Sequence, residues 1–127
     1  MKTDIMMMLM SDTYKHTHPS MYPQNLTKLV SYLTPRKNMS EAFPNMVFFG
    51  LQAFILDYLM DGFDEQFFNK PLHVVEDKYK HYMDIQIGVE NTEWPKIKAL
   101  HELGYLPLEI RALPEGKRRA YRGTSLF

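Results

Sequence analysis

From Val47 the apolar residues Val47, Leu51, Phe54, Ile55, Tyr58 and Leu59 recur at the spacing of one helix face, and Asp61-Gly62 offers a left-handed stop. Such a helix buries only a stripe of its surface, so the rest of the chain must supply what packs on it. Two further segments read as helices. One starts at Asn69 with Pro71 in its first turn and carries Leu72, Val75, Tyr79 and Met83 on one face. The other starts at Thr92, has Pro95 in its first turn, brings Trp94, Ile97, Leu100 and Leu103 together, and stops at Gly104. Upstream, the side chains of Ser11 and Asp12 can accept hydrogen bonds from the free amides of a following turn. This predicts a short helical segment over Thr13 to His18, ended by Pro19 and Pro23.

Strand patterns lie between these helices. Leu29, Val30, Tyr32 and Leu33 form an apolar run between Leu26 and Thr34, closed by Pro35, and Arg36 to Pro44 read as a polar loop. From Leu108 to Leu113 the apolar and charged residues alternate, and Pro114-Glu115-Gly116 turns the chain back into what reads as the return strand of a hairpin. About three helices mixed with strands, without regular alternation, indicate an α+β fold. A chain of 127 residues buries roughly two thirds of its unfolded surface. That is enough for a single domain over residues 1–127, but not for a barrel of about 250 residues. The strand pattern at the C-terminal end suggests a fragment of a larger protein.

Charge and composition narrow the function classes. Fifteen basic residues face fifteen acidic ones, so the overall field holds the chain neither to nucleic acid nor to a membrane surface. The basic group Lys117, Arg118, Arg119 and Arg122 is explained by the solvent face of the return strand. Cysteine is absent, which removes thiolate chemistry and fits a cytoplasmic protein. The apolar run Ile5 to Met10 is too short to span a membrane or to form the core of a secretory signal. The ten methionines read as core and terminal filler.

The densest set of polar and aromatic groups is Asp12-Thr13-Tyr14-Lys15-His16-Thr17-His18, with Tyr22-Pro23 following. His16 and His18 would share a face in a strand, yet no third ligand lies nearby, and they read as surface histidines rather than a metal pair. Tyr14 is open to two readings, an ordinary half-buried aromatic or a ring held ready for a ligand, and the residues alone favour the first. His73, His81 and His101 lie on helix patterns and read as surface or interface residues.

The string Ser11-Asp12-x-Tyr14-Lys15-x-Thr17-His18 with Tyr22-Pro23 resembles the start of the nicotinamide phosphoribosyltransferases. The resemblance continues in the same order through Ser31-Tyr32-Leu33-x-x-Arg36, Phe48-Phe49-Gly50-Leu51-Gln52 and Leu106-Pro107-Leu108-Glu109-Ile110-x-Ala112-Leu113-Pro114-Glu115-Gly116. Related nicotinate enzymes carry Leu-Thr-Met where this chain has Lys15-His16-Thr17-His18, so the nicotinamide branch is the better match. Two features depart from the family pattern: the methionine-rich start, and Gly123-Thr124-Ser125 where a proline is frequent.

The resemblance implies the small N-terminal α/β domain of a type II phosphoribosyltransferase, with the barrel domain absent. It implies transfer of phosphoribosyl from phosphoribosyl pyrophosphate to nicotinamide, assisted by Mg²⁺, in a dimer whose sites lie between subunits. By the same resemblance Tyr14 stacks on the nicotinamide ring, Arg36 reaches substrate phosphates and Asp12 stands behind Tyr14, while catalytic and metal-binding residues belong to the barrel. Stacking suits a flat pyridine, and a guanidinium fork suits phosphate oxygens. The expected partners are a second copy or a separate barrel chain. The alternative is a non-catalytic dimerisation or interaction module derived from that family.

Overall fold

The computed structural model describes residues 6–35, 40–88, 90 and 92–120. The chain is helix-rich, with one short antiparallel strand pair and, among the described residues, no barrel. It divides into two compact units, Met1–Leu26 with Phe54–Pro107, and Thr27–Ala53 with Leu108–Phe127.

In the first unit, 3-10 turns over Met7–Met10 and Thr13–Met21 precede the helices. The helix α1, Leu51–Phe54, which begins in the second unit, passes without a break into π-helical turns over Ile55–Gly62 and Asp64–Phe68 of the first. These turns close hydrogen bonds five residues apart, as from the Asn69 amide to the Asp64 carbonyl at 3.0 Å. The wide spacing brings residues four and five positions on over the same spot. Accordingly the Phe63 ring lies 6.1 Å from both Phe67 and Phe68. Helix α2, Leu72–Ile87, starts after Pro71, whose carbonyl accepts from Val74 and Val75, and buries Val75, Tyr79 and Met83. Helix α3, Trp94–Leu103, carries Pro95 in its first turn. It ends at Gly104, whose φ of 80° lets its amide reach the Leu100 and His101 carbonyls.

The core of this unit is Met6, Phe67, Val75, Tyr79 and Met83, with Phe63, Trp94, Ile97 and Leu100 packed against it. His101 links α3 to the end of the π-helical turns. Its Nε2 lies 2.9 Å from the Lys70 carbonyl, which makes that nitrogen the donor, and its ring meets Phe67 edge-on at 5.3 Å.

In the second unit β1, Asn45–Val47, pairs antiparallel with β2, Arg118–Ala120, with Met46 opposite Arg119. The Pro114-Glu115-Gly116 turn closes on the chain just after β1. The Gly116 amide donates to the Phe48 carbonyl at 2.8 Å, and the Phe48 amide donates to Lys117 at 3.0 Å. The Glu115 carboxylate accepts from the Gln52 amide at 3.0 Å, at the N-terminus of α1, where a free N–H and the helix dipole favour an anion. Two of the motif blocks, Phe48 to Gln52 and Leu113 to Gly116, thus form one structural clasp. Replacing Glu115 with Ala should cost about 1 kcal/mol, as for other lost helix caps, with Glu115→Gln losing less. Urea denaturation checks this, and an unchanged midpoint would refute the clasp.

Several sequence expectations are corrected. Val47 was placed at the start of a helix by its spacing, but it lies in β1, and the helix starts at Leu51. Gly62 does not stop that helix, because it keeps a helical backbone inside the π turns, and positive φ occurs at Gly50, Gly88, Gly104 and Gly116. Leu26 to Thr34 forms no strand: Leu33 is 90% exposed, and the segment finds no ladder partner among the described residues. Leu108 to Leu113 is likewise unpaired, and the return strand selects Asn45–Val47 instead. Pro19 lies inside its 3-10 segment, which runs on to Met21, since a 3-10 turn tolerates the missing donor where an α-helix does not. Helices α2 and α3 start at Leu72 and Trp94 rather than at Asn69 and Thr92.

Candidate functional site

Asp12, Tyr14, Lys15, His16 and His18 all fall on or beside the 3-10 segment Thr13–Met21. Its hydroxyl-rich sequence explains the local form. Thr17 Oγ1 donates to the Tyr14 carbonyl at 2.8 Å and Ser20 Oγ to the Thr17 carbonyl at 2.7 Å, bonds that stabilise tight turns over α-helix. The segment is tied to α2 by Thr13 Oγ1, which donates to Gln86 Oε1 at 2.7 Å.

Tyr14 is 57% exposed and lies outside the buried core. Its ring meets His18 edge-on at 5.1 Å, and His18 in turn faces Tyr22 at 6.4 Å, which makes a short row of rings along the segment. Lys15 Nζ lies 5.3 Å from the Tyr14 ring centroid, within the range of a cation–π contact. An exposed aromatic face with a cation beside it can take a flat, electron-poor or polar ring by stacking.

Asp12 precedes the segment, but its side chain makes no capping hydrogen bond; only its backbone carbonyl accepts, from the Lys15 amide at 2.9 Å. The capping role expected of it is therefore not what the carboxylate does, and the carboxylate stays exposed beside Tyr14. Arg36, expected to reach phosphate, lies outside the described residues.

His16 and His18 do not act alike, although they were read together as surface histidines. His16 is half-buried, with its Nε2 3.2 Å from Ser11 Oγ and its ring 6.5 Å from that of Tyr79. Burial lowers its pKa below the usual 6.5. Tyr79 is fully buried, and its hydroxyl receives the Glu93 amide at 3.3 Å. Burial raises its pKa and the Glu93 charge adds to this, while that hydrogen bond acts in the opposite sense. Sequence reasoning missed His16 as a packed residue. The only signal was Tyr79 on the apolar face of α2, and nothing local connects the two.

Among the described residues no three His, Asp or Glu side chains converge on a metal position. A shallow pocket of about 210 Å³ lies elsewhere, lined by Met6, Gln66, Lys70, Val74, Val75 and Lys78, none of them a sequence-derived site residue. Among the described residues no helix is long and apolar enough to cross a membrane.

Comparison with known proteins gives a family match and matches to curated relatives. Residues 6–110 match the family described as "Nicotinamide phosphoribosyltransferase, N-terminal domain". A nicotinamide phosphoribosyltransferase of Acinetobacter baylyi (strain ATCC 33305 / BD413 / ADP1) is 43% identical over 112 residues, covering 84% of this chain and 22% of that protein. The chain thus spans about a fifth of the length of that curated relative. No solved structure matches it.

Proposed function

The chain belongs to the nicotinamide phosphoribosyltransferase family through its N-terminal domain, and from that premise we propose that it is the N-terminal α+β part of such an enzyme, inactive alone. The complete cytoplasmic enzyme would make nicotinamide mononucleotide and pyrophosphate from nicotinamide and phosphoribosyl pyrophosphate, for pyridine nucleotide salvage. The observation that carries this reading is the exposed Tyr14 face on a segment inside the matched region.

The part played by this chain is positioning. Tyr14 offers a stacking face to the pyridine ring, and Lys15 beside it adds polarity at the ring edge. Arg36 supplies a donor fork to phosphate oxygens, where a permanent charge offsets that of a departing pyrophosphate. Asp12 stands behind Tyr14 on the same segment. Displacement also needs the ribose carbon held in line with the pyridine nitrogen, and a barrel domain, supplied by a longer chain or a separate one, would do this. In that complete enzyme Mg²⁺ would offset the charge of the pyrophosphate. The described residues of this chain offer it no ligand set, so no step is assigned to them through the metal.

The non-catalytic alternative, in which residues 1–127 act as one pairing module, draws on the apolar surface of the second unit, where Tyr32 and Phe43 are each 71% exposed and Phe49 is 81% exposed. Assay of mononucleotide formation separates the two readings. The pure 127-residue chain should give no product above background, and adding a barrel chain of the family should restore it. Turnover by the chain alone would overturn the first statement, and failure with every barrel tried would favour the module.

A further inference from the structure

We propose that His16, as the neutral imidazole, is the residue that positions the Tyr14 face, by packing its segment onto the core of the first unit. This deepens the reading of Tyr14 as a nicotinamide platform and rests on it only for the ligand.

The geometry is specific. The Ser11 hydroxyl has one proton and donates it to the Met8 carbonyl at 3.2 Å. Its oxygen is then an acceptor for His16 Nε2, 3.2 Å away, which fixes the tautomer with the proton on Nε2 and leaves Nδ1 to take up a second. The His16 ring lies against Tyr79, one of the four fully buried side chains among the described residues. On its own segment Tyr14 makes ring contact with His18, four residues on, and with the adjacent Lys15. Among the described residues the His16 ring and the Thr13–Gln86 hydrogen bond link that segment to α2, from positions on either side of Tyr14 in sequence.

A second proton on His16 would place a charge against an aromatic core. The titratable group shown against it is Tyr79 from α2, whose hydroxyl is already engaged by the Glu93 amide, and its near neighbours in sequence with ionisable side chains are Asp12, Lys15 and His18. Among the described residues it has no ion pair with a carboxylate. Burial lowers its pKa from 6.5, so the packing contribution is complete above that value and is lost as pH falls through the lowered one.

The test is an NMR titration of the chain from pH 8 to about 5, following the His16 and Tyr14 ring protons. It is run on the parent, on His16→Phe, and on His18→Phe, which removes the second imidazole next to Tyr14. The expected result is a shift of the Tyr14 signals with the His16 midpoint in both parent and His18→Phe, and its loss in His16→Phe. Tyr14 signals that follow only His18, or that shift equally without His16, would overturn the proposal. Nicotinamide is then titrated into the same three variants, each completed by a barrel chain of the family. Binding that weakens below pH 6.5 in the parent and stays level in His16→Phe supports the positioning role. No nicotinamide binding by any sample, with the ring-proton result intact, refutes the platform reading and leaves the packing role of His16 standing.

Discussion

Phe67→Ala should lower the folding free energy by about 3–5 kcal/mol, the range for large aromatic truncations in a core. The size of the effect follows from how little is fully buried. Phe67 is one of four fully buried side chains among the described residues, and its ring lies against Phe63, Phe68 and His101, so it joins the π-helical turns to α3. Small domains are stable by only about 5–15 kcal/mol, so the loss removes a large fraction of what holds the first unit. Urea denaturation followed by the near-ultraviolet signal of Trp94, which packs on that core, measures it. A variant with an unchanged midpoint would show that the cavity is filled by neighbours and that the core is drawn wrongly.

The second large effect falls on binding, not stability. In the enzyme completed by a barrel, Tyr14→Ala should weaken nicotinamide binding by about 1–3 kcal/mol, because an aromatic platform is removed at a contact centre. Tyr14→Phe keeps the ring face and should change affinity little. Stability should move by no more than about 0.5 kcal/mol, as for other surface substitutions, since Tyr14 is 57% exposed. Calorimetric titration with nicotinamide alongside thermal melting decides the matter. A large fall in melting temperature with unaltered affinity would mean that Tyr14 is packing.

These two residues also mark what was legible in the sequence. Helices α2 and α3 were readable because Val75, Tyr79 and Met83 recur every four residues and proline and glycine stand at the ends, and all of that is local chemistry. Tyr14 was singled out by its motif alone, and its ring is exposed. The strand pairing was not readable. Val47 fits a helical spacing as well as a strand, and what decides is Arg118, far along the chain. The π-helical turns were hidden for a related reason: Gly62 has the chemistry of a stop, but the phenylalanines after it gain more by staying on the wound chain. His16 was misread because its environment depends on Tyr79, a contact that no periodicity in the N-terminal segment announces.

The clasp formed by Glu115 and Gly116 on Phe48 and Gln52 has a consequence in time. The second unit is built from Thr27–Ala53 and Leu108–Phe127, two stretches that bracket most of the first unit in the sequence. A ribosome delivers residues in order, at about 5–20 per second. Asn45–Val47 and the amide of Gln52 therefore emerge seconds before the residues that pair with them. By the end of that interval the π-helical turns, α2 and α3 have emerged and can close around Phe67 and Tyr79. The first unit is thus placed to form during synthesis, and the strand pair to be added last, as the turn at Pro114 leaves the tunnel.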